Sequence, residues 1–227
     1  MIELTEDEKQ LIIGIKDYLV ENDIVGFISN LYSNLSYSLN YGGQEKFEHI
    51  TQFLEQCGID IPYSDLFRGK WKIPDGYFHN STITSIDVPE GVTEIGEDAF
   101  ASCKNLQSIK FPTTLKSIGL GAFKECRKLE EVIIPEGVTE IGPYAFRECD
   151  NLRKVSLPTT VKILNSMTFC GCRHLTNIIL PEGVKEIGSN CFSYSGLTSI
   201  KIPSSIKFIA FNAFTGVPLK AETIKLY

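Results

Sequence analysis

From residue 73 onward, apolar side chains return to the same place every 23 residues. Phe100, Phe123, Phe146, Phe169 and Phe192 keep that step, with Phe78 and Phe214 one residue closer at the two ends. Pro89, Pro112, Pro135, Pro158 and Pro181 follow it, as do Ile95, Ile118, Ile141, Leu164 and Ile187, each series closing one residue early at Pro203 and Ile209. A fixed period of this length marks a solenoid of stacked units, none of which can bury its apolar side alone. Within one unit, IGEDAFASCKNLQSIKFPTTLKS at 95–117, the positions Leu106, Ile109 and Phe111 recur as Leu129, Val132, Ile134 and as Leu152, Val155, Leu157. A spacing of three and then two predicts a short strand entered through a bend and closed by proline, which cannot donate to a ladder. Upstream, A-F-x-x-C-x-x-L predicts a compact 3₁₀ or irregular turn with Ala, Phe, Cys and Leu inward. Stacking at about 4.8 Å per strand makes a parallel sheet over one continuous core. Six to seven units are present.

A longer period overlies the first. PEGVTEIG at 89–96 and 135–142 and PEGVKEIG at 181–188 alternate with PTTLKSIG, PTTVKILN and PSSIKFIA, a 46-residue double repeat. Gly91, Gly137 and Gly183 can take φ > 0 where the Thr or Ser of the alternate turns resists it, so successive turns are expected to differ in backbone conformation. In the column of Gly96, Gly119, Gly142 and Gly188 the fourth and sixth members are Asn165 and Ala210, which argues against a strict left-handed requirement there.

The first seventy residues carry a different pattern. Thr5 with Glu8 forms a capping box, and Leu11, Ile12, Ile15, Tyr18 and Leu19 then make an amphipathic stripe. Ile24, Phe27, Ile28, Leu31 and Leu35 continue at helical spacing, and Phe47, Ile50 and Leu54 mark a third helix ending near Gly58. Prolines 62 and 74 and glycines 69 and 76 break the pattern, placing a boundary near residue 70 between a small helical domain, 1–70, and the repeats, 71–227. The charge breaks there too. Residues 1–70 hold five Lys and Arg against twelve Asp and Glu, whereas 71–227 hold seventeen against sixteen. Two readings of the helical part stand side by side. It caps the apolar end and strand edge of the solenoid, with Trp71 in the seal, or its carboxylates form a partner-binding surface facing a basic protein.

The repeat pattern P-x-x-V-x-x-I-G-x-x-A-F-x-x-C-x-x-L-x-x-I-x-L, over about residues 73–227, resembles the BspA-like leucine-rich repeats. The resemblance implies a leucine-rich-repeat solenoid with a parallel β-sheet face, and with the N-terminal helices read from the pattern before it the expected fold class is α+β. It also implies binding of other macromolecules, mostly proteins, without catalysis. The Asn of receptor-type repeats, L-x-x-L-x-L-x-x-N, is absent.

Candidate chemistry is thin beside the repeat. Cys103, Cys126, Cys149 and Cys172 share one repeat position and are expected as a ladder of buried, reduced thiols. Cys170, Cys172 and His174 in FCGCRH are the tightest ligand-like cluster, but two of the three occupy repeat positions and packing explains them better than a metal. His49, His79 and His174 belong to no motif, no nucleophile elbow or phosphate loop occurs, and neither cofactor nor metal is expected. No apolar run spans a bilayer, the acidic start lacks the basic residues of a leader, and a cytoplasmic protein is expected. A net charge of −6 argues against a nucleic-acid binder.

Function is therefore expected from surfaces. Between the inward strand residues, the outward column runs Asp87, Lys110, Ile133, Ser156, Ile179, Lys201 and Lys225. Ile133 and Ile179, with Ser156 between them and Glu130, Glu131, Arg153, Lys154, Thr176 and Asn177 around them, are the candidate protein-binding patch. The competing account is that β-branched residues simply favour strands. A different class of function, an inhibitor or mimic that fills a basic groove with its acidic N-terminal domain, is the alternative. The strand-like TIKLY ending at Tyr227 leaves an edge through which a homodimer is expected.

Overall fold

In the computed structural model the described residues are 72–88, 90–219 and 224–226. The chain divides into two compact units, Met1–Arg68 and Gly69–Tyr227. The expected helices of residues 5–58, Trp71 and the acidic surface lie outside the described residues. No helix occurs among those described.

Most coils of the second unit contribute a strand of three residues and another of two; in one coil the triplet is reduced to a single bridge at Ile179. The triplets are β2 (Ser85–Asp87), β4 (Ser108–Lys110), β6 (Glu131–Ile133), β8 (Lys154–Ser156), β11 (Ile200–Ile202) and β13 (Ile224–Leu226). The doublets are β1 (Lys72–Ile73), β3 (Glu94–Ile95), β5 (Ser117–Ile118), β7 (Glu140–Ile141), β9 (Ile163–Leu164), β10 (Glu186–Ile187) and β12 (Phe208–Ile209). All pairing is parallel. The doublets were not expected from the apolar pattern, because a single inward Ile with one outward neighbour carries too little alternation to read as a strand.

Between doublet and triplet runs the turn centred on Phe. It is no helix, for a reason visible in its dihedrals. The residues two before and two after Phe take φ near +60°, among them Asp98, Tyr144 and Met167 before it and Ser102, Glu125 and Glu148 after it. This alternation aims alternate N–H groups at the next coil: Asp98 donates to the Leu120 carbonyl at 2.8 Å, Phe100 to Ala122 at 2.7 Å and Ser102 to Lys124 at 2.7 Å. Left-handed backbone costs roughly 1–2 kcal/mol for a non-glycine residue, and the inter-coil bonds offset it.

The core is a set of columns. Rings of Phe78, Phe100, Phe123, Phe146, Phe169, Phe192 and Phe214 stack face to face, with neighbouring centroids 4.9 to 5.7 Å apart and interplanar angles of at most 15°. Beside them the thiols of Cys103, Cys126, Cys149 and Cys172 donate to the carbonyls of Phe78, Phe100, Phe123 and Phe146 at 2.9 to 3.2 Å. The ladder of thiols expected from the sequence is thus also a ladder of hydrogen bonds.

The 46-residue period has a physical cause. The Glu90 carboxylate accepts from the Thr113 N–H at 3.0 Å and the Thr113 hydroxyl at 2.9 Å, and Glu136 accepts likewise from Thr159. Glu182 takes the Ser204 hydroxyl at 3.0 Å. Each P-E-G turn therefore clasps the P-T-T or P-S-S turn after it. The triplet ladders follow the clasps: β2 pairs β4 and β6 pairs β8, while Ile179 bridges Lys201. Gly91 and Gly137 take φ of +98° and +95° as expected, but Gly183 does not; a Cβ there would meet the Thr159 carbonyl oxygen.

The second glycine column serves close approach. A Cβ on Gly142 would lie 2.6 Å from backbone atoms of Gly119 and Leu120. Gly119 and Gly142 donate their N–H groups to Ile95 and Ile118, but Asn165 reaches the Ile141 carbonyl with its side-chain amide, at 2.7 Å. The doublet sheet divides at this point into β1-β3-β5-β7 and β9-β10-β12.

Candidate functional site

The β6–β8 ladder positions Ile133 and Ser156, and Ile179 follows on the next coil as a single bridge to Lys201. Strand alternation turns Val132 and Val155 into the core and sends their neighbours outward. In register, Glu131 stands opposite Lys154 and Ile133 opposite Ser156. Glu131 and Lys154 form an ion pair across the two strands. The Arg153 N–H is anchored to the Glu130 carbonyl at 2.8 Å, which leaves its side chain in solvent. Ile179 sits one coil beyond Ser156, after the exposed Asn177, and the two coils are joined through the Phe146–Phe169 stack at 5.6 Å. Ile133 is 59% exposed and Ile179 73%, while Ile178 between Asn177 and Ile179 is buried. Both outward isoleucines therefore stand in water, each beside a buried neighbour, Val132 or Ile178.

The cysteine cluster does not assemble. Cys172 is spent in the thiol ladder, and His174 points its Nδ1 at the Asp150 carbonyl, 2.6 Å away. Among the described residues no group of three His, Cys, Asp or Glu is placed to hold a metal ion. Burial pushes the thiols of Cys126, Cys149, Cys172 and Cys191 well above their ordinary range, and that of the half-buried Cys170 upward too. High-pKa thiols are poor nucleophiles and poor metal ligands.

The structure shows further surface that the apolar pattern did not single out. Phe208 and Phe211 are exposed on the last described coil, and Ile209 is 37% exposed where its equivalents Ile95 to Ile187 are fully buried. Among the described residues, β13 follows on the triplet side, paired with β11. The bends before β4, β6 and Ile179 carry Lys104, Arg127, Lys128 and Arg173, all exposed, while the bend before β8 carries Asp150 and Asn151. Their alignment is legible in the sequence only when the residues are read down the 23-residue columns.

These features define a parallel β-solenoid of the leucine-rich-repeat class. The BspA-type leucine-rich repeat region model matches residues 71–162 and 140–225 with six copies, and the chain belongs to that family. It is similar to a leucine-rich repeat protein from Bacteroides ovatus, with 31% identity and a TM-score of 0.57, over 73% of this chain and 50% of the other. A leucine-rich repeat protein from Eubacterium ventriosum is 25% identical with a TM-score of 0.51, over 61% and 44% of the two chains. The Treponema pallidum leucine-rich repeat protein is 28% identical with a TM-score of 0.43, over 54% and 69%. The chain thus spans about half the length of the Bacteroides protein. No curated protein matches the sequence. No helix among the described residues is long and apolar enough to cross a membrane.

Proposed function

We propose that this chain is a non-catalytic binding module that holds a protein partner on its triplet sheet face. The contact centres on Ile133, Ser156 and Ile179, with Glu131, Arg153, Lys154 and Asn177 as its rim. The observation that carries this reading is the exposure of two large aliphatic side chains in an outward column that is otherwise polar. An apolar centre with a charged rim is the anatomy of an interface, and a face fixed by stacked coils loses little entropy on association. The family is one of interaction modules, which fits. The test is the full chain with Ile133→Asp and Ile179→Asp together, used in affinity capture from native lysate. The variant should fold as the parent does and lose the captured protein; unchanged capture removes this surface from consideration.

We place the chain in the cytoplasm. The six described cysteines are all unpaired thiols, which suits a reducing compartment. Fractionation of the source cells checks this, and recovery from the cell surface overturns it.

A further inference from the structure

Charge is segregated around the coil even though the repeats as a whole are nearly neutral. On the bend and the first outward strand positions of four consecutive coils stand six cations, Lys104, Arg127, Lys128, Arg153, Lys154 and Arg173, against the carboxylates Glu130, Glu131 and Asp150. Of the six, Lys154 is neutralised by Glu131. Arg127 and Arg173 approach Glu125 and Asp150 only to 3.8 Å, with their side chains 51% and 77% exposed. Lys128 donates to the neutral Asn105 side chain at 2.9 Å. Lys124 and Glu125, in the turn above, offset one another. Away from that stretch Glu90, Glu136 and Glu182 stand in the turns, and Glu94, Glu140 and Glu186 on the doublets are set against Lys72, Lys116, Lys162, Lys185 and Lys207, with Glu94 paired to Lys72 at 2.8 Å. Rings stacked 5.3 and 5.6 Å apart set the step between coils, so cations on neighbouring coils, such as Arg127 with Arg153 and Arg153 with Arg173, fall within a Debye length of about 8–10 Å and their fields add, while Arg127 and Arg173 lie two steps apart with Asp150 between them.

The basic bends adjoin the apolar column directly, because Arg127 and Lys128 lead into the strand of Ile133 and Arg173 leads into Ile179, while the bend between them, before Ser156, carries Asp150 and Asn151. We propose that the partner of this face is an acidic protein segment. It sets two apolar side chains, roughly two coil steps or about 10 Å apart, against Ile133 and Ile179, and its carboxylates against Arg127, Lys128, Arg153 and Arg173. The inference rests on the sheet-face reading above and adds the chemistry of the occupant. The isoleucines decide between polyanions: a nucleic acid or a sulfated polysaccharide matches the cations but has no aliphatic groups to bury against the isoleucines, whereas an acidic polypeptide satisfies both halves.

The test uses the full chain and four probes: poly-glutamate, a random copolymer of glutamate and tyrosine, heparin and single-stranded DNA. Binding is measured by biolayer interferometry at low and at physiological salt. The copolymer should bind at least about tenfold more tightly than the other three, a difference near 1.4 kcal/mol. Arg127→Glu with Arg173→Glu should weaken the copolymer about tenfold or more and flatten its salt dependence. Ile133→Ser with Ile179→Ser should reduce it to the level of poly-glutamate. Circular dichroism of each variant checks that the fold is kept, and the single substitutions replace any double variant that fails to fold. Loss with the isoleucine variant but not the charge variant would leave the sheet face as the binding surface and reject an acidic partner. Loss with the charge variant alone, or equal capture of heparin or DNA, would reject this inference and leave the lysate capture to judge the face.

Discussion

Ser195 occupies the place in the sixth coil that Cys103, Cys126, Cys149 and Cys172 fill in earlier ones. Its hydroxyl is buried and finds no hydrogen-bond partner, whereas each of the four thiols donates to a Phe carbonyl at 2.9 to 3.2 Å. The longer C–S bond lets a thiol reach the carbonyl of the coil before, and the shorter C–O bond leaves the hydroxyl short of it. A buried donor without a partner costs about 1–3 kcal/mol, and a thiol is only a weak donor. Ser195→Cys should therefore stabilise the protein by about 1 kcal/mol, a rise of about 2–4 °C in Tm for a chain of this size. The reciprocal change, Cys149→Ser, creates the same orphan in the middle of the stack and should cost about 1–3 kcal/mol. The sites lie two coils apart, so the double variant should show the sum. Urea unfolding followed by circular dichroism in excess reductant measures all three, and Ser195→Ala separates removal of the orphan from gain of the bond. The reasoning fails if Ser195→Cys is neutral or destabilising while Cys149→Ser costs nothing.

Glu90 and Cys170 offer two further tests. The Thr113 N–H and hydroxyl hold the Glu90 carboxyl below its usual range. A depressed carboxylate contributes stability that is present above its unfolded pKa of about 4.3 and is lost as pH falls through the lower folded value. Glu90→Gln should accordingly flatten the stability profile in that acid window and leave its slope at neutral pH unchanged, as read by thermal melts across pH. Of the six described cysteines only Cys170 is not fully buried. In the native protein it should be the first of these to react with a thiol reagent such as iodoacetamide, more slowly than a free thiol because burial raises its pKa. Peptide mapping that finds Cys126 or Cys149 alkylated first would contradict the burial order.

The period in the amino-acid chain was sufficient to define the stack. Phe, Cys, Leu and Ile recur at one spacing, and the only way to bury such a series is to lay equivalent residues over one another, so the ring column and the outward place of Ile133 and Ile179 were readable in advance. The doublet strands were not, because parallel pairing between neighbouring coils, rather than local alternation, makes a two-residue strand out of Glu94–Ile95. The left-handed residues flanking Phe escaped notice for a related reason: Tyr144 and Met167 have no intrinsic liking for φ near +60°, and only the bonds to the next coil hold them there. The alternation of P-E-G with P-T-T was visible as a pattern, but its purpose appeared only when Glu90 was found beside Thr113, 23 residues away in sequence and one coil away in space. Likewise the repeats look nearly neutral when charges are summed along the chain, and become two-sided once the winding gathers Arg127, Lys128 and Arg173 on one edge and Glu90, Glu136 and Glu182 on another. Which residues lie inside was decided locally by hydrophobicity and period; which surface residues become neighbours was decided by the pitch of the coil, a property of the packed stack that no single repeat contains.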